Sequence, residues 1–563
     1  MRPSRMAATL ALLGAACGGG VAAARTVEGR ASRAVERAAA SMGASIRSVQ
    51  FSWFGPLRLE GVVLQPDAAT RLTVEAAEIE WRTGGGADAR AHVSSLALSG
   101  MRLQRGALAL ALPAATFDVL AWEGRAGAEH VRLRQRTSGG TIDARWAKGA
   151  TGREAELALA GLDLSAGAVE WDREPVLELG RWSGRLAFSG GGTCWGTAGR
   201  LWLEEARGSL GRALGLADGP RGAPTEVALA WSARRRDGAV EIEQATARMA
   251  GIRLEGRGRF RGPDAQGEAE LSAQVEVGDA LRTAGLRLPE PVHTRPDARL
   301  GTAWFDVTLR GPLGDAAALR VVPRLRFEST PEAERALAFL NHPFRHAPQP
   351  SGTRIDVSAG APDFVPLAEV PSLFVRMLLL SEDAGFFGHP GIDVAEIPAA
   401  WTANAERGAF ARGASTITQQ LARNLFLARD KSYGRKLEEA ALALMLDAAV
   451  PKTRILEIYL NVIEWGPDLH GLAPAAWHYF GKHPSQLTTK EMAFLVCLVP
   501  SPVRYHSAHR AGHVGPGMEQ LMQNLLAKMR ARDGLGEDEY ERARYEELVF
   551  RPEGDDTPPG VVD

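Results

Sequence analysis

The chain has 563 residues, of which 66 are basic and 67 acidic, for a net charge of −1. That balance excludes the broad basic field of a nucleic-acid binder, and the length exceeds one ordinary core, so two or three domains are expected. Three cysteines, Cys17, Cys194 and Cys497, show no metal-ligand spacing and cannot form a disulfide framework. Cys497, inside "MAFLVCLV", reads as a small buried hydrophobe.

Residues 1–25 come first. Arg2 and Arg5 precede an uncharged run from Met6 to Ala24, the order of an export signal or signal anchor. The run is close to the shortest that crosses a bilayer. A retained anchor is favoured over a signal peptide cut after "AAA" and over a lipoprotein processed at Cys17. Each reading puts the remainder outside the bacterial cytoplasm.

Residues 26–335 read as an elongated, antiparallel β-rich region. In "RLEGRGRFRG" the residues Leu254, Gly256, Gly258 and Phe260 alternate with charged ones, and "EAELSAQVEV" from Glu268 alternates likewise. Period-two alternation marks strands with one wet face, hence antiparallel sheet. Asp237-Gly238 between two such runs signals a hairpin turn. Residues 336–365, with "HPFRHAPQPSGT", read as a linker by their Pro and Gly content.

Beyond Pro371 the apolar spacing becomes helical. Leu373, Phe374, Met377 and Leu380 share a face that ends at Glu382. A carboxylate emerging from apolar packing is poorly solvated, so its pKa rises and it suits general-base work. The next block, "GASTITQQLARN", gathers Gly413, Ser415, Thr416, Thr418, Gln419, Gln420, Arg423 and Asn424, a set able to hold an anion, although helix capping accounts for at least one of its hydroxyls. Arg435, Lys436 and Glu439 then share one helix face. Ile455, Ile458, Tyr459 and Val462 form a core stripe, with Glu457 and Asn461 as structural hydrogen-bonders. "MEQLMQNLLAKMRARDGLGEDEYERARYEEL" reads as two helices around a glycine-containing turn.

The strings "LLLSEDAGFFGHPG", "GASTITQQLARNLFL", "RKLEEA", "KTRILEIYLNVIEWG" and "HGLAPAAWHYFGK" resemble, in this order, the peptidoglycan glycosyltransferases, the transglycosylase family. The resemblance covers roughly residues 360–550. It implies a mostly α, lysozyme-like domain over 366–550 followed by a tail at 551–563, and a multidomain α+β protein as a whole. It implies polymerisation of lipid II into glycan strands with release of undecaprenyl diphosphate. By this likeness Glu382 is the base and Glu439 the second catalytic carboxylate, stabilising charge at the donor sugar or organising cations at the diphosphate. Gly413, Ser415, Thr416, Gln419, Gln420, Arg423, Asn424, Arg435 and Lys436 bind substrate. Asp383 and His389 join that set, with holding the turn as their main work. Arg423 stands where the family usually has Lys.

The implied partners are lipid II, the growing strand, the inner membrane at its periplasmic face and cell-wall synthesis proteins, with no nucleic acid. No cofactor is obligatory and no metal ligands are assigned; a divalent cation, Mg or Mn, is the one candidate assistant at the diphosphate. After Arg504 no Ser-x-x-Lys followed by Lys-Thr-Gly appears, so a monofunctional enzyme is expected. The opening "VQFSWFGPLRLEGVVLQ" resembles AsmA-like periplasmic proteins, which implies a lipid-handling or spacer role for the β-region, beside the plainer reading of a scaffold. Two other functions fit the chain: a lytic, glycan-cleaving enzyme, and a non-catalytic lipid-binding or scaffold protein of the envelope.

Overall fold

The structure is a computed structural model. It describes residues 32–552 except 38, 41–43, 51–55, 66–69, 84–90, 106–107, 113–114, 126–127, 136–139, 149–151, 164–168, 172–173, 178, 192–193, 208–224, 263–264, 284, 293–298, 313–317, 349–352, 397, 399–414, 428–432 and 506. The chain divides into two units. The first holds residues 1–274, 282–285 and 307–321, and the second 275–281, 286–306 and 322–563. Along the sequence the two units alternate between residues 274 and 322. Val277, Leu281, Val292, Leu300 and Ala303 are buried in the second unit's core.

The first unit is an antiparallel ladder. Strand Leu57–Leu64 pairs with Thr70–Thr83, which pairs with Ala91–Ser99. The ladder continues through Ala115–Arg125, Ala128–Gln135, Thr141–Lys148 and Arg153–Asp163. From there it runs through Leu179–Gly191, Cys194–Arg207, Thr225–Arg236, Ala239–Met249 and Ile252–Arg261. The expected hairpin is present: Arg236 opposes Ala239, and Asp237 and Gly238 both have positive φ, 51° and 74°. Two such residues make the turn whose twist matches that of the strands. Charged side chains line the wet face in cross-strand pairs such as Arg234–Glu241 and Arg58–Glu78.

The second unit is helical. We label its main helices α1 (Ser372–Glu382), α2 (Ile417–Phe426), α3 (Tyr433–Ala449), α4 (Lys452–Val462), α5 (Leu472–Phe480), α6 (Thr489–Leu498), α7 (Pro516–Ala531) and α8 (Glu537–Tyr545). Helix α6 is buried along its whole length, Cys497 included, and packs on α1 and α7. Its entry is fixed by Thr488 and Glu491, each side chain accepting the other's backbone N–H. Helix α5 stops at Gly481, which takes the left-handed conformation. Helix α2 packs against both α3 and α4, and this arrangement positions the site.

The described part of the expected linker, 336–365, is folded into this unit. Leu340, Val357 and Val365 are buried. Arg454 of α4 donates to the carbonyls of Leu340 and His342, and Asn341 donates to that of Ala449. Asn461 holds Val365 from both sides, accepting its N–H and donating to its carbonyl, each at 2.9 Å. Glu457 accepts the Leu367 N–H. Proline and glycine content reads as loop, but buried apolar side chains and satisfied backbone groups make this stretch part of the domain. Among the described residues no helix is long and apolar enough to cross a membrane; the expected anchor, residues 1–25, lies outside them.

Candidate active site

Helix α1 ends at the residue its apolar stripe points to. Phe374, Met377 and Leu378 are fully buried. The Asp383 N–H still closes the last turn on Leu379, after which Asp383 leaves helical geometry. Glu382 is left partly exposed at that end. Its Oε2 accepts from Gln420 Nε2 at 3.0 Å and its Oε1 from Ser381 Oγ at 3.1 Å. Burial pushes its pKa up; the two hydrogen bonds oppose the rise, Asp383 adds to it and Arg423 opposes it. A reachable carboxylate with a raised pKa can take a proton from a sugar hydroxyl.

Asp383 has a different task. Its side chain is 2% exposed. Oδ2 accepts the Ile417 N–H at 2.9 Å, and Oδ1 lies 2.9 Å from His389 Nε2. The carboxylate thereby satisfies one of the unpaired N–H groups that open α2 and favours the positive end of its dipole. Asp383 and His389, expected with the substrate-binding residues, are enclosed in the turn; burial and mutual pairing remove them from a substrate's reach.

The hydroxyl and amide block separates in the same way. Thr416 caps α2: its Oγ1 accepts the Gln419 N–H at 3.1 Å, and Gln419 Oε1 accepts the Thr416 N–H at 3.1 Å. The Thr416 hydroxyl donates to the Gly391 carbonyl at 2.6 Å. Both side chains are buried, so Thr416 and Gln419 form a capping box rather than an anion cradle. Asn424 turns back onto the Gln420 carbonyl at 2.8 Å. Gln420 bonds Glu382, and Arg423 acts on that carboxylate through its charge. Of this block only Ser415 joins the cationic group, accepting from Lys436 Nζ at 2.7 Å. Gly413 lies outside the described residues.

Helix α3 supplies that cationic group. Glu439 accepts from Arg435 Nη1 at 2.6 Å and from Lys436 Nζ at 2.5 Å. Its side chain has no exposure, whereas that of Lys436 is 42% exposed. Glu439, expected as the second catalytic carboxylate, therefore cannot touch a substrate: both its oxygens are occupied and covered. It pairs with two cations, Arg435 and Lys436. Among the described residues two of the three N–H donors of Lys436 are engaged, by Ser415 and Glu439.

Ser415, just before α2, and Gln420 within it tie the two halves together across six residues, Ser415 reaching the cations and Gln420 reaching Glu382. Sequence reading missed one participant. Tyr459 donates its hydroxyl to Gln420 Oε1 at 2.9 Å. The signal was there: Tyr459 is the one polar tip in an aliphatic stripe, and a buried tyrosine hydroxyl needs a partner.

Asp383, His389 and Asp393 form a group close enough to hold a metal ion. The Asp383 oxygens are already engaged by Ile417 and His389, and Asp393 accepts the Ala395 N–H, so the group is a hydrogen-bonded turn. Beside the cations, Glu439 has no oxygen left. Among the described residues the donor set there does not fit a protein-held divalent ion, and no step is derived through one.

Fold and site together define the class of a transferase unit: a carboxylate with a raised pKa at a helix end, and two cations held by a buried glutamate. A family model described as Transglycosylase matches residues 352–529. The chain is similar to biosynthetic peptidoglycan transglycosylases of Herminiimonas arsenicoxydans (43% identical over 29% of this chain and 70% of that one), Chromobacterium violaceum (45%, over 30% and 71%) and Nitrobacter winogradskyi (41%, over 32% and 78%). The chain belongs to the biosynthetic peptidoglycan transglycosylase family.

Proposed function

We propose that this protein is a peptidoglycan glycosyltransferase that lengthens glycan strands from lipid II at the cell envelope. The observation that carries the reading is the pairing of Glu382, partly exposed and raised in pKa by burial, with Arg435 and Lys436, fixed by an enclosed Glu439. Glu382 removes the proton from the acceptor sugar hydroxyl as its oxygen attacks the donor's anomeric carbon. The bond from that carbon to the diphosphate breaks, and undecaprenyl diphosphate departs with the electron pair. Lys436 and Arg435 meet the charge that develops on the leaving group, and they are held in place beforehand, so little reorganisation is needed.

We assign the working position to the periplasmic face of the inner membrane, with residues 1–25 as the anchor. The antiparallel region is a spacer or lipid-handling module, as its AsmA-like pattern implies. The test incubates full-length protein with labelled lipid II and follows polymer length. Wild type gives lengthening strands and Glu382→Gln none. Equal polymer from both would remove Glu382 as base, and shortening of preformed strands would make the enzyme lytic.

A further inference from the structure

Gln420 stands between two groups that constrain it from opposite sides. Its Nε2 donates to Glu382 Oε2 at 3.0 Å, and its Oε1 accepts from Tyr459 Oη at 2.9 Å. A primary amide has nearly the same shape when turned over, but then it would aim its oxygen at the carboxylate. Something must select the orientation that places the NH₂ on Glu382. Tyr459 is fully buried, so its hydroxyl proton finds no water. Among the described residues its hydrogen bond goes to Gln420.

We propose that Tyr459 is a positioning residue for glycosyl transfer: by donating to Gln420 Oε1 it locks the amide so that an N–H supports the ionised form of the base. This rests on Glu382 being the base. Among the described residues the charged and titratable groups that act on that carboxylate are few. Asp383 beside it disfavours its ionisation and Arg423 on α2 favours it. Tyr459 on α4 and Cys497 on α6 also feel its charge, and burial raises the pKa of both, so both stay protonated over the working range. The direct donors are the Ser381 hydroxyl, which is exposed and replaceable by water, and the Gln420 amide. Losing the amide's orientation removes the donor that water does not replace.

The experiment measures initial rates of polymerisation of fluorescent lipid II by the full-length protein from pH 5 to 9. Tyr459→Phe removes one hydroxyl and keeps the ring. It is expected to move the acidic limb of kcat/KM up by about half to one pH unit. On the acid side of that limb the accompanying loss of kcat is about three- to tenfold and it vanishes on the plateau, with KM little changed. In a Gln420→Leu background, Tyr459→Phe should add no further shift, because both changes break the same link. Should Tyr459→Phe unfold, 3-fluorotyrosine at 459 keeps the shape and strengthens the donor, and the limb should move down. An unmoved limb in the phenylalanine or fluorinated protein overturns the proposal, as does a full further shift in the Gln420→Leu background. Polymer from Glu382→Gln would remove the underlying reading; an inactive Glu382→Gln beside an unmoved limb removes the Tyr459 role alone.

Discussion

Gly391 presses against Ala443. The glycine has φ +84°, and a Cβ built on it would overlap the Ala443 carbonyl and approach Asp447 Cβ at 3.2 Å. The turn that follows Glu382 is thus seated directly on α3, one turn from Glu439 along that helix. Gly391→Ala should destabilise the protein by about 2–4 kcal/mol, from backbone strain and overlap together. Thermal unfolding checks this, and a midpoint within about one degree of wild type would show the contact to be slack.

Glu439 and Lys436 should respond differently although they touch. Glu439→Ala leaves two cations without their buried partner, an error costing roughly 3–5 kcal/mol, so both stability and polymerisation fall. Lys436→Ala leaves the buried Glu439 with Arg435 still paired, so the unfolding midpoint should fall by less than in Glu439→Ala, while kcat drops on the order of a hundredfold. Parallel losses of stability in both proteins would contradict the separation of roles.

The acid response of Glu382 has opposite signs in activity and stability. Its folded pKa lies above its unfolded one, so between the two the native state holds the extra proton and stability falls as pH rises through that window. Activity requires the ionised base, so kcat/KM falls as pH drops through the folded value, above the ordinary glutamate value of about 4.3. Glu382→Gln should abolish polymerisation and, at pH 7.5, unfold at or above the wild-type midpoint, a gain of about 1 kcal/mol. A clearly lower midpoint would mean that the carboxylate supports the fold.

His346 gives the reverse stability profile. Burial and the neighbouring His470 lower its pKa to about 4, below the unfolded value. The unfolded state then binds the extra proton between those values, so stability is lost as pH falls from the ordinary imidazole range toward 4. His346→Gln should flatten the fall of the unfolding midpoint across that interval. An unchanged slope would assign the acid sensitivity to other groups.

Asn461→Ala should lower stability by about 2–4 kcal/mol, because it leaves the buried Val365 N–H and carbonyl without partners. Urea unfolding measures it; a cost below about 1 kcal/mol would indicate that residues near 365 are held by other contacts.

By itself the sequence determined the elements and the helix end at which Glu382 stands. Alternation in the strands, the Asp237-Gly238 turn and the stripe from Phe374 to Glu382 are local patterns, and a local period decides which side of an element is apolar. Glu457 and Asn461 were legible as structural groups for the same reason. Only the tertiary structure decided which polar residues remain available for chemistry. Thr416 and Gln419 close on each other and on Gly391, Asp383 reaches 34 residues ahead to cap α2, and Tyr459 reaches 39 residues back to Gln420. Burial of Glu439 and the folding of the described residues of 336–365 onto α3 and α4 are of the same kind. Desolvation and hydrogen-bond pairing depend on neighbours distant along the chain, and no periodicity within one element carries that information.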